Sequence, residues 1–261
     1  MHAAMLMAHG FSDWNVMSEQ SYRFYKAAKD KGLPVQLYYN QEGHGIDPSL
    51  SIMNKWFTRY LFGVENNVEN DPPVYIVREH ETEATGYDSY PDKNAAPVTL
   101  YLTPDGANAG NLGFERISGI VTDTIIDNYK IAGEDLIENK NSENRLLFVT
   151  PVLENDIRIS GIPKINLRLA SNQPAVNISV WLVALPWEEG KEIEIYDNLI
   201  TRGWADPQNY RSITDGELLQ PGTFYNLSFE LMPDDQVIPK GQQIGLLIFS
   251  SDKEFTLWPK P

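Results

Sequence analysis

Ala8-His9-Gly10-Phe11-Ser12-Asp13-Trp14-Asn15-Val16 decides the fold of the first quarter of the chain. It follows the apolar run Ala3–Ala8, the pattern of a strand covered on both faces. It precedes a helical segment in which Ser18 offers an N-cap, Tyr22, Tyr25 and Ala28 recur on one face, Lys29 and Lys31 end the last turn, and Gly32 stops it. A short strand, Pro34–Tyr39, comes next and ends in the turn Gln41-Glu42-Gly43-His44-Gly45. Asp47 and Pro48 then open a second helix, with Leu50, Met53, Trp56, Phe57, Tyr60 and Leu61 as a wide apolar stripe and Gly63 as its end. Strand alternating with helix implies a parallel sheet with helices on its faces.

The rhythm changes after residue 63. Residues 64–73 are polar and Asn/Glu-rich, end in a proline pair and read as a linker. Short period-two strands follow, divided by Gly, Pro, Asn and Asp: Val74–His80, Val98–Thr103, Arg145–Thr150, Ile165–Ala170, Asn177–Ala184, Leu199–Gly203, Phe224–Leu231 and Gln243–Ser250. Asp105-Gly106 reads as a turn and Asp234-Asp235 as a solvated bend. No strong helical pattern appears here. The expected fold is therefore α/β plus all-β, with residues 1–63 as part of a parallel sheet and 74–261 as a jelly-roll β-sandwich of the galactose-binding-like kind.

Composition narrows the function classes. A chain of 261 residues that is 42% hydrophobic and 11% aromatic buries a real core. A net charge of -15 repels phosphate backbones and anionic lipid, so neither nucleic acid nor a membrane surface is an expected partner. Without cysteine there are no disulfides, thiolate metal sites or cysteine nucleophiles. No apolar run reaches the ~18 residues of a membrane span. The four histidines are too scattered for a metal set, and no cofactor motif occurs.

The chemistry lies at the two strand ends. In open parallel sheets functional groups collect beyond the carboxyl ends of the strands, where Asp13 and His44 both fall. One helix and one strand separate them, so adjacent parallel strands would bring them together. A histidine beside a nucleophile takes its proton and returns it to the leaving group. A carboxylate on its far nitrogen fixes the tautomer. In α/β-hydrolases the chain order is nucleophile, acid, histidine, and this sequence offers the last two in that order. No Gly-x-Ser-x-Gly elbow occurs, and Ser89 and Ser160 follow the histidine. His9 is expected to play a hydrogen-bonded structural part. Trp14, Asn15 and Phe11 either border a pocket or pack the acid loop. The nucleophile is expected upstream of a chain that opens directly in a core strand.

His9-Gly10-Phe11-Ser12-Asp13-Trp14-Asn15-Val16 closely resembles the acid-bearing loop of the X-Pro dipeptidyl-peptidase family, which includes cocaine-esterase-like (CocE/NonD) acyl hydrolases. Ile159-Ser160-Gly161-Ile162-Pro163-Lys164-Ile165 resembles the strand entering that family's C-terminal β-domain. Leu199-Ile200-Thr201-Arg202-Gly203-Trp204 with Tyr210-Arg211, and Pro239-Lys240-Gly241-Gln242-Gln243-Ile244, resemble two later signatures, although the family often has histidine at the place of Gln242. The resemblance implies the C-terminal part of a serine hydrolase with Asp13 and His44 as triad acid and histidine. Its substrate would be an X-Pro peptide or an acyl ester, cleaved through an acyl-enzyme. It further implies a chain inactive alone that associates with itself or with the missing half. The competing reading is a non-catalytic carbohydrate- or partner-binding β-sandwich.

Overall fold

The computed structural model describes residues 3–257 except 14, 46, 118, 120–121, 139–140 and 188–197. Four strands form the first sheet: β1 (Met5–Gly10), β2 (Val35–Asn40), β3 (Val74–Ile76) and β4 (Thr85–Tyr87), in the order β1-β2-β3-β4. β1, β2 and β3 are mutually parallel and β4 is antiparallel to β3. The crossovers are α1 (Ser18–Asp30) and α2 (Leu50–Phe62). The β1/β2 register sets His9 opposite Tyr39 and Gly10 opposite Asn40, so both strands end at one level.

Several details of this sheet and its helices depart from the sequence expectations. Val74–Ile76, read as the first sandwich strand, pairs with β2, because Val74 and Ile76 complete the apolar face of Leu37 and Tyr39. Ser49, not Asp47, caps α2, its hydroxyl accepting from the Ile52 N–H; α1 is preceded by Met17 at the cap, with Ser18 already helical. The apolar stripe of α2 stays largely in solvent: Trp56 is buried, whereas Leu50 is 81% and Leu61 71% exposed.

The rest of the chain is mostly strand. A mixed six-stranded sheet has the order β11-β10-β14-β7-β6-β5, from β5 (Tyr101–Pro104), β6 (Ala109–Gly113), β7 (Arg145–Val149), β10 (Ile178–Leu185), β11 (Leu199–Ala205) and β14 (Gln243–Phe249). Across it lie two ladders, β9 (Lys164–Leu169) with β12 (Tyr225–Glu230), and β8 (Ile157–Gly161) with β13 (Asp234–Ile238). Side-chain alternation in β10 and β14 builds two cores at once. Ile178, Val180, Leu182, Ile244, Leu246 and Ile248 join the core shared with the ladders. Trp181, Val183, Leu247 and Phe249 face the other way, under Leu136 and Ile137 of the short helix α3 (Gly133–Glu138). Both faces are covered, which explains why these strands read as continuous apolar runs. Gly133 permits this approach, since a Cβ there would lie 2.4 Å from the Trp181 ring.

Asp234-Asp235 is a correction. It is the start of β13, with Asp234 1% and Asp235 0% exposed. Ion pairs from Arg78 and Arg158 compensate the burial of the Asp235 charge.

Candidate active site

The two strand ends are joined by their own backbone. The Phe11 N–H donates to the Asn40 carbonyl at 2.8 Å and the Ser12 N–H to the Glu42 carbonyl at 3.2 Å. Gly10 makes this possible, because a Cβ there would lie 1.9 Å from the Glu42 oxygen. Beneath the loop, Phe11 stacks on Tyr39 with ring centroids 4.2 Å apart. Phe11 thus locks the acid loop from inside, Asn15 is exposed, and Trp14 lies outside the described residues.

Asp13 and His44 meet. The Asp13 Oδ2 atom lies 2.9 Å from His44 Nδ1. It lies 3.0 Å from His9 Nε2, and His9 Nε2 is also 2.8 Å from the Val16 carbonyl. Because both of these neighbours are acceptors, His9 Nε2 carries a proton, while its Nδ1 accepts from the Ser21 hydroxyl at 2.6 Å. The other carboxylate oxygen, Oδ1, accepts the backbone N–H groups of Asn15 at 2.9 Å and Val16 at 3.0 Å. Two donors on each oxygen therefore fix the carboxylate. His44 is held in the tautomer with its proton on Nδ1. Its Nε2 makes no hydrogen bond among the described residues, and the side chain is 59% exposed beside a carboxylate only 3% exposed. An imidazole so placed can accept a proton from a hydroxyl brought to its open side.

His9 has the hydrogen-bonded part expected of it, but its partner was not legible. Nothing in a strand-end His-Gly says that the ring turns back onto the acid four residues later.

Burial raises the Asp13 pKa. The Val16 N–H, the His44 ring and the Asn15 N–H, with the electrostatic field of the His9 ring, outweigh that and hold it below the usual carboxylate range. A depressed folded-state value stabilises the fold above the unfolded value near ~3.9 and withdraws that stability as pH falls through the folded one. The urea midpoint of the native chain should therefore decline more steeply below about pH 4 than that of Asp13→Asn. Parallel slopes would contradict the assignment of these bonds.

The large apolar cleft between the six-stranded sheet and the two ladders measures about 3010 Å³ and includes neither Asp13 nor His44 in its lining. Small-molecule pockets are roughly 300–1,000 Å³, so this is a gap between sheets more than a substrate pocket.

Parallel strands with helical crossovers, an acid and a histidine at adjacent carboxyl ends, and a β-rich second region define a two-part architecture, a parallel sheet followed by a mostly-strand domain. Solved structures share this fold. A CocE/NonD family hydrolase from Staphylococcus aureus superposes with a TM-score of 0.76 over 99% of this chain and 48% of its own, at 14% identity. An aminopeptidase from a marine-sediment Thaumarchaeota archaeon gives 0.74 over 96% and 48%, at 16% identity. The chain belongs to the X-Pro dipeptidyl-peptidase family: residues 66–261 match its C-terminal non-catalytic domain. A Rhodopirellula baltica protein named "Putative Xaa-Pro dipeptidyl-peptidase" is 49% identical over 99% of this chain, and a Bacillus anthracis protein of the same name is 34% identical over 99%. The chain spans 42% of the length of each. Asp13 and His44 precede the matched non-catalytic domain.

Proposed function

We propose that this chain is the C-terminal part of an X-Pro dipeptidyl-peptidase, in which Asp13 and His44 are the triad acid and histidine. The nucleophilic serine and oxyanion hole come from polypeptide outside it. The observation that carries the reading is the 2.9 Å contact from His44 Nδ1 to Asp13, with the rest of the ring open to solvent. His44 would deprotonate the serine as it attacks the carbonyl after the proline and return that proton to the departing amine, leaving the N-terminal dipeptide as the acyl-enzyme; water, giving its proton to His44, would then release the dipeptide and regenerate the serine. The names of the relatives favour a peptide over an ester. The strand order of the second region, six strands facing two ladders across one core, supports the jelly-roll reading of that domain.

Partnering follows from surface chemistry. β1 is an edge of its sheet, and Leu50, Leu61 and Phe62 on α2 are 81%, 71% and 78% exposed. An open parallel edge and an apolar helix face favour association with the remainder of the hydrolase domain, or between copies in its absence.

The test compares the full-length polypeptide with the 261-residue chain on an X-Pro dipeptide anilide and a matched acyl ester. Full-length protein is expected to cleave the anilide with a burst of acyl-enzyme, and the chain alone to cleave neither. Anilide turnover by the chain alone, or ester turnover without any on the anilide, would refute the reading.

A further inference from the structure

The sandwich touches both halves of the acid–histidine pair through one dipeptide. The Asp235 carbonyl accepts from Gln41 Nε2 at 2.9 Å, and Gln41 begins the turn that carries His44. The Asp234 carbonyl accepts from the Tyr90 hydroxyl at 3.0 Å, which also lies 3.1 Å from the Gly161 carbonyl. The Tyr90 ring is 5.9 Å from Phe11 and 5.7 Å from Tyr39, the stacked pair under the acid loop. The dipeptide is itself fixed. Arg158 pairs with Asp235 through Nε at 3.0 Å and Nη2 at 2.8 Å, and Arg78 pairs with the same carboxylate. The Val237 N–H donates to Glu79 at 3.2 Å.

From this we infer that Gln41 is a positioning residue for His44, and that the matched non-catalytic domain works as the brace of the site through Asp234-Asp235. The inference rests on the acid–histidine reading above. Four glycine-flanked or polar positions, Gln41-Glu42-Gly43-His44, would otherwise leave the imidazole on a turn free to pivot. Gln41 ties that turn to a strand whose Asp235 is wholly buried, so the ring is held by the rigid part of the molecule.

The experiment reads the His44 Nδ1–H proton in the 261-residue chain by NMR, where a carboxylate-bonded imidazole N–H is shifted downfield and protected from solvent. Gln41→Met removes the donor at similar volume. It is expected to raise exchange of that proton on the order of tenfold, the consequence of one lost hydrogen bond, with an unchanged melting profile. Gln41→Lys, which keeps an N–H donor, is expected to exchange as the native chain does. In the full-length enzyme Gln41→Met should lower kcat with KM unchanged. Native-like exchange in Gln41→Met, or equal loss in the Met and Lys variants, overturns the inference. Asp13→Asn separates the two readings: if it leaves the native His44 resonance in place, the acid–histidine pairing itself fails. If it abolishes the resonance while Gln41→Met does not disturb it, only the brace fails.

Discussion

On the proposed triad, Asp13→Asn in the full-length polypeptide is expected to lower kcat by about 10⁴-fold with little change in KM, the scale known for the acid of such triads. The cause is tautomer selection. At the Oδ1 position two backbone N–H groups, from Asn15 and Val16, demand an acceptor. The asparagine amide must therefore set its oxygen there and its NH₂ at the Oδ2 position. That NH₂ faces His44 Nδ1 and His9 Nε2, where the native carboxylate accepted from both rings. Donor now meets donor. His44 relieves the clash by moving its proton to Nε2, the nitrogen that should accept from the nucleophile. His44→Ala removes the base altogether and should cost at least as much, and the double variant no more than the single ones, since the groups act as a unit. Steady-state kinetics on the X-Pro anilide check this. Retention of more than about a tenth of the native kcat in either variant contradicts the triad assignment.

Much of this site was legible before any fold was known, for a physical reason. The acid and histidine sit on local features with sequence signatures: an apolar strand that ends in Gly, a capped helix, and a glycine-flanked turn. Parallel pairing of adjacent strands then leaves little freedom in where Asp13 and His44 lie. The illegible parts depend on contacts distant in the chain. β13 reads as a bend because its aspartates are polar, and the partners that make burial of Asp235 tolerable, Arg78 and Arg158, lie 157 and 77 positions away. Tyr90 carries no motif, and its partners at Gly161 and Asp234 lie 71 and 144 positions on. β3 reads as a sandwich strand because a polar linker before it looks like a domain boundary, whereas sheet pairing ignores such punctuation. α2 shows the converse. Its apolar stripe is clear in the sequence, but the surface that would cover it does not lie among the described residues.

The largest effect on stability should come from the sandwich side of the site. Asp235 is fully buried and receives Arg158 through both carboxylate oxygens and Arg78 on Oδ1. The guanidinium carbons of Arg78 and Arg158 lie 5.3 and 4.8 Å from the centroid of the Tyr87 ring, so the two cations share one aromatic neighbour as well as one carboxylate. Removing the carboxylate leaves Arg78 without its carboxylate partner and Arg158 with Asp92 alone, at 2.6 Å. Losing one partner of a buried pair costs roughly 3–5 kcal/mol, and the side-chain exposure of Arg158, 30%, favours the lower end. Asp235→Ala is therefore expected to lower Tm by roughly 6–12 °C for a chain of this size. Desolvation already pushes the neighbouring Asp234 carboxyl well above the ordinary range, with the charges of Glu79 and Asp235 adding to it. Asp235→Ala removes one of those repulsions, a small offset against the lost ion pairs of Arg78 and Arg158. The exposed pair of Lys26 and Asp30 serves as the control, and Lys26→Ala should leave Tm unchanged within error. Calorimetry on the three proteins decides the matter. An Asp235→Ala chain that melts with the native one would mean that Arg78 and Arg158 reach water readily, and the brace beneath His44 would then have no rigid anchor.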